Sequence, residues 1–187
     1  MAVARSRTEP SEGEGGLVSF EHLLLPHLDA AYNLARWITG NAQDAEDLVQ
    51  EAYLRAFKAF DRFRGGDGRA WLLAIVRNTC YTWLHRNRRN MHDAVFDEEI
   101  HSVDDKSSNP EALLLESLDT QFLKQALQEL PLEFREVLIM RELEGLSYNE
   151  IAAIACIPIG TVMSRLARAR TQLIKCARKT FSSERKQ

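Results

Sequence analysis

Wherever apolar residues form a pattern in this chain, they recur at three- and four-residue steps. Phe20, Leu23, Leu24, Leu28, Ala31, Leu34, Ala35 and Ile38 share one face of a helix, because side chains three and four apart stack on a 3.6-residue turn. Gly40 ends that helix, since glycine readily takes the left-handed backbone of a helix stop. Asn41 caps a second helix, Ala42 to Phe60, with Asp44 near its positive end. Leu48, Ala52, Ala56 and Phe60 are its inward positions. The glycines of FRGGDGRAW, Phe63 to Trp71, predict a loop. A third long helix then runs from Trp71 to about Asn90. Trp71 spaces with Ile75 and reads as core; Trp83 stands before a basic end and is left open.

The period then lapses. MHDAVFDEEIHSVDDKSSNP, residues 91–110, is acidic and aperiodic, the composition of a linker. Asn109-Pro110 restarts a helix, with proline at its first position. Pro131 breaks the pattern, and a helix from Glu133 to Glu144 ends at Gly145. Ser147-Tyr-Asn-Glu150 is a capping box, in which serine and glutamate each bond the other's amide. Leu146 and Ile151 fit the accompanying hydrophobic staple. The short helix that follows turns Ile151, Ala152, Ile154 and Ala155 inward. Cys156-Ile157-Pro158 interrupts it. A new helix starts near Ile159, with Val162, Leu166, Ala169 and Leu173 buried and Gly160, Ser164, Ala167 and Thr171 outward. The whole reads as all-α: two small helical domains on a flexible acidic linker.

Charge sharpens this picture. The 187 residues carry 24 basic and 27 acidic groups, a net charge of −3. Residues 31–92 hold 10 basic and 6 acidic groups, residues 93–119 hold 1 and 9, and residues 120–187 hold 11 and 7. Two basic blocks therefore flank an acidic connector. From Pro158 to Lys179 there are six basic residues and no acid. A capping box, a tight turn and an acid-free second helix describe a helix-turn-helix whose outer face suits DNA. Arginine there can read guanine or clamp phosphate.

Other chemistry is unsupported. Cys80, Cys156 and Cys176 lie far apart and form no metal-ligand spacing. They read as buried or semi-buried thiols of a reducing cytoplasm. The five histidines are scattered, and no nucleophile–base pair, phosphate loop or cofactor motif is visible. No apolar run reaches the length of a membrane span. The first 17 residues lack the apolar stretch of a secretory signal and read as a disordered tail.

IAAIACIPIGTVMSRLARARTQL resembles region 4 of the extracytoplasmic-function sigma factors, the two-domain promoter-recognition subunits of bacterial RNA polymerase. Pro158, Gly160-Thr161-Val162, Ser164-Arg165-Leu166 and Arg168-Ala169-Arg170 carry the likeness. DAEDLVQEAYLRAF, Asp44 to Phe57, and the segment Phe63 to Asn90 resemble region 2 of the same family. The resemblance implies region 2 over residues 18–92, a linker over 93–110, region 4 over 111–180 and a tail over 181–187. It also implies roles. Asp44, Asp47, Gln50 and Glu51 would meet the polymerase. Gly65, Gly66 and Asp67 would receive a flipped base of the −10 element, with Arg77 and Asn78 beside the single strand. Arg86, Arg88 and Arg89 would touch phosphates. Thr161, Met163, Ser164, Arg165 and Arg168 would face the −35 element. Implied partners are core RNA polymerase, promoter DNA and an anti-sigma factor, for a cytoplasmic protein that is monomeric when free and needs no cofactor.

Two residues depart from the family pattern. Met163 stands where Lys or Arg is usual, which replaces a cation by an apolar group able to touch a thymine methyl. Cys156 stands in a turn where glycine is common. A stand-alone helix-turn-helix regulator is the competing reading. It accounts for the C-terminal half but not for the N-terminal motif or the acidic tether.

Overall fold

The computed structural model describes residues 19–93 and 118–184, with side chains placed over 19–87 and 123–176. Expectations for residues 1–18, for the acidic linker and for the Asn109-Pro110 helix start lie outside the described residues. Every regular element among the described residues is helical.

Three helices form the N-terminal domain: α1 (Leu28–Thr39), α2 (Ala42–Ala59) and α3 (Gly68–Asp93), each packed on the other two. Their boundaries follow local chemistry. Gly40 ends α1 at φ 78°. The Asn41 side chain accepts from the Gln43 and Asp44 amides at 2.8 and 3.3 Å and so caps α2. The periodicity predicted one helix from Phe20 to Ile38. The chain instead forms a helical segment over 19–24, a 3-10 turn at Leu25–His27 and then α1. Pro26 sits in that turn and has no amide to continue the ladder. The third helix starts earlier than predicted, because Asp67 caps it by accepting the Arg69 amide at 2.9 Å. Gly68 therefore lies inside α3, where an added Cβ would come within 2.8 Å of Leu23.

The C-terminal domain holds α4 (Leu118–Gln128), α5 (Leu132–Glu142), α6 (Tyr148–Ala155) and α7 (Ile159–Glu184). The last helix continues past residue 180, where a tail was expected. Helix α7 packs against α4, α5 and α6. The expected stripe holds: Val162, Leu166 and Ala169 are buried and Leu173 is half-buried.

The two domains also pack on each other, α1 against α5 and α3 against α6. Their buried apolar residues form one continuous cluster, from Phe20 and Leu24 through Leu72 and Leu73 to Val137, Ile151 and Leu166.

Candidate nucleic-acid interface

Ser147 and Glu150 close the predicted capping box. The Glu150 amide donates to Ser147 Oγ at 3.3 Å, and the Ser147 amide donates to Glu150 Oε2 at 2.6 Å. Hydrogen bonding to the Glu150 carboxyl from the Ser147 side chain, and then from its amide, holds that carboxyl below its ordinary pKa. A depressed pKa contributes stability above the ordinary glutamate value and loses it as pH falls through the folded value. Ser147→Ala should therefore cost about 1 kcal/mol at neutral pH and flatten the fall of the urea midpoint between pH 6 and pH 3. An unchanged acid limb would refute this.

Helix α6 ends at Cys156, whose amide bonds back to the Ala152 and Ala153 carbonyls. Cys156 lies at φ 54°, alone in the left-handed region among described non-glycine residues. It is exposed, unlike the buried or semi-buried thiol expected. Cys80 is fully buried, and burial pushes its thiol up to about 12. The left-handed backbone crowds a Cβ against the following carbonyl. Cys156→Gly should raise the urea-melt stability by about 0.5–1 kcal/mol; a loss would show that the side chain matters more than the backbone.

The chain bends by 102° from α6 into α7, the geometry of a helix-turn-helix. Ser164, Ala167, Arg168 and Thr171 are exposed along the outer side of α7, Thr161 is half-exposed, and Met163 is 49% exposed. Ala167, Arg168, Thr171, Gln172 and Lys175 line a shallow groove of about 310 Å³. Arg170 pairs with Glu142 at 2.7 Å. Arg165 behaves differently from Arg168. It leans back, 3.6 Å from Glu136 and 4.0 Å from Glu133, with 23% of its side chain exposed.

In the N-terminal domain, Gly65 and Gly66 have φ of 85° and 101°, so the loop takes a path closed to most side chains. Phe63 stacks on Phe60 and sits 5.0 Å from Trp71, which is half-buried and packs against the core its spacing pointed to. Trp83 also packs against that core. Asn78 and Arg86 are exposed on α3. Arg88 and Arg89 lie on the same helix beyond the residues whose side chains are described. Arg77 is not on an open face. It donates from Nε and Nη2 to Glu136 of α5 at 2.8 and 3.0 Å, with its guanidinium 4.3 Å from the Tyr81 ring centre. Desolvation would lower the Arg77 pKa, but the Glu136 carboxylate more than offsets it and raises the value.

On α2, Asp47, Gln50 and Glu51 are exposed and Asp44 is half-exposed, one continuous polar face. Burial, and then the charge of Asp47, raise the Asp44 carboxyl above its ordinary value. Leu54 and Phe57, 62% and 48% exposed, extend the same side of the helix.

Sequence reasoning missed the residues between the domains. Glu144 accepts from Asn33 at 3.2 Å and from Arg69 at 2.7 Å. Arg135 donates to the Trp37 carbonyl at 3.1 Å. The Glu136 side chain is wholly buried. A signal existed for Glu136: it sits among Phe134, Val137, Leu138, Ile139 and Met140, all buried. A carboxylate there needs a cation from somewhere.

Two helical domains, one ending in a helix-turn-helix whose second helix carries no acid from Ile159 to Lys179, define a DNA-binding transcription protein. Residues 23–90 match the profile of Sigma-70 region 2, and residues 123–173 match that of Sigma-70, region 4. The chain is 36% identical to the ECF RNA polymerase sigma factor SigE of Mycolicibacterium smegmatis over 86% of its length, covering 62% of that relative. It is 36% identical to the RNA polymerase sigma-H factor of Pseudomonas aeruginosa, over 84% of this chain and 85% of that one. Among solved structures, the sigma factor RpoE in complex with the anti-sigma factor NepR from Bartonella quintana aligns with a TM-score of 0.72 and 34% identity. That alignment covers 86% of this chain and 97% of the other. The chain belongs to the extracytoplasmic-function sigma factors of RNA polymerase.

Proposed function

We propose that this chain binds bacterial core RNA polymerase in the cytoplasm and directs it to promoters, with no catalysis of its own, under the control of an anti-sigma factor. The outer face of α7 carries the reading. It presents Ser164 and Arg168 to the solvent, free of acids, at the end of a domain matched to Sigma-70, region 4. Thr161 and Met163 flank them. Arg165 would join this face by leaving Glu136. The loop of Gly65, Gly66 and Asp67 would take an extruded −10 base, which costs a few kcal/mol of unstacking. Asn78, with both a donor and an acceptor, would read the single strand, as would Arg77 once free. Arg86, Arg88 and Arg89 would hold phosphates and make binding salt-dependent. The face of Asp44, Asp47, Gln50 and Glu51 would steer the chain onto a basic polymerase surface. One solved relative was captured with an anti-sigma factor, and a partner of that kind suits a chain whose DNA-facing and polymerase-facing groups lie on two domains.

The test is transcription in vitro with core polymerase over a library of promoter fragments, against core alone. Discrete start sites that need the chain support the reading and reveal both promoter elements. Retention of duplex DNA with no core binding at any salt concentration would favour a stand-alone regulator.

A further inference from the structure

The two domains meet through polar groups that a loose encounter would leave in water. Glu136 of α5 is wholly buried and holds Arg77 of α3 by two bonds. The same carboxylate lies 3.6 Å from Arg165 of α7. One acid therefore gathers a cation from the −10 reader and a cation from the −35 reader. Glu144, at the end of α5, gathers Asn33 and Arg69 from the other domain. Arg135 caps the C-terminal turn of α1 through the Trp37 carbonyl, where helix carbonyls lack partners. Beneath these pairs runs a shared apolar core.

We propose that Glu136 is an intramolecular latch: with no partner bound, it holds the two domains closed and withholds Arg77 and Arg165 from DNA. The consequence for DNA rests on the initiation reading above; the latch itself does not. Burial gives the pair its strength, because charges shielded from water are screened little by salt. It also makes the latch breakable. A partner that offers Arg77 and Arg165 phosphates, and Glu136 a cation, replaces the pair at small net cost, since a buried ion pair gains little over its own desolvation. Opening then frees both arginines together.

Small-angle X-ray scattering of the full chain, alone at neutral pH, tests this. The closed wild type should have a radius of gyration near the ~16 Å expected for a compact chain of this length. Two domains separated on the connecting segment would approach ~25 Å. The variant Arg77→Gln with Glu144→Ala removes the Arg77 bonds to Glu136 and the Glu144 bonds to Asn33 and Arg69, and leaves Glu136 paired with Arg165. It should expand by roughly half while its circular dichroism stays helical. Arg77→Gln alone should shift part of the population the same way, and serves if the double variant loses helicity. A wild type already expanded without a partner overturns the latch, and so do helical variants as compact as the wild type. Failure of transcription with core polymerase would sink the initiation reading and leave the scattering result standing.

Discussion

Replacing Glu136 by alanine is expected to lower stability by about 3–5 kcal/mol, the usual cost of removing one partner from a buried ion pair. The loss comes from what remains. Arg77 has 13% of its side chain exposed and donates two bonds to this carboxylate. Without it, a guanidinium is left in a site dry enough to oppose its charge. Arg165 loses an acid at the same time and keeps only the more distant Glu133. Glu136→Gln should cost less, because the amide keeps the shape and can still accept one bond. Changing Arg77 and Glu136 together to methionine should recover part of the alanine loss, since the pair and its desolvation leave together. Urea melts read all three. A loss below about 1 kcal/mol for Glu136→Ala would show that water reaches the pair.

Arg168→Ala is expected to weaken binding to an upstream promoter duplex by roughly 5- to 150-fold, the 1–3 kcal/mol that one base-reading arginine supplies. Arg168 is exposed on the outer side of α7, and none of the ion pairs seen among the described residues ties it back as Arg165 is tied. The loss should fall on one base position and relax the preference there. Lys175→Ala, in the same groove, should instead weaken all sequences alike and reduce the salt slope by about one. Core polymerase binding should be unchanged in both, because the face proposed for it lies on α2. An Arg168→Ala loss equal on every sequence would reassign the residue to phosphate.

How much of this was legible beforehand depended on the range of each interaction. Asn41, Gly40, Ser147 with Glu150, and the turn at Cys156 act over two to four residues, so their chemistry is written in the order of the letters. The stripe of Val162, Leu166 and Ala169 was equally readable, because helical periodicity turns spacing into a face. One local signal was overridden: the period from Phe20 to Ile38 ran straight through Pro26, where the missing amide broke the helix. The loop glycines were read together, yet Gly68 belongs to α3 and lies against Leu23, a contact 45 positions away in the chain.

The sequence by itself determined the all-α class, the caps at Gly40, Asn41 and Ser147, the helix-turn-helix and the family. Only the tertiary structure decided which charges face water. Arg77 and Arg168 look alike in the sequence, each an arginine on a helix near small or apolar neighbours. One is held by Glu136, 59 residues away, and the other is exposed. Burial of a charge is set by what the rest of the chain brings against it, and no local spacing encodes a partner from another domain.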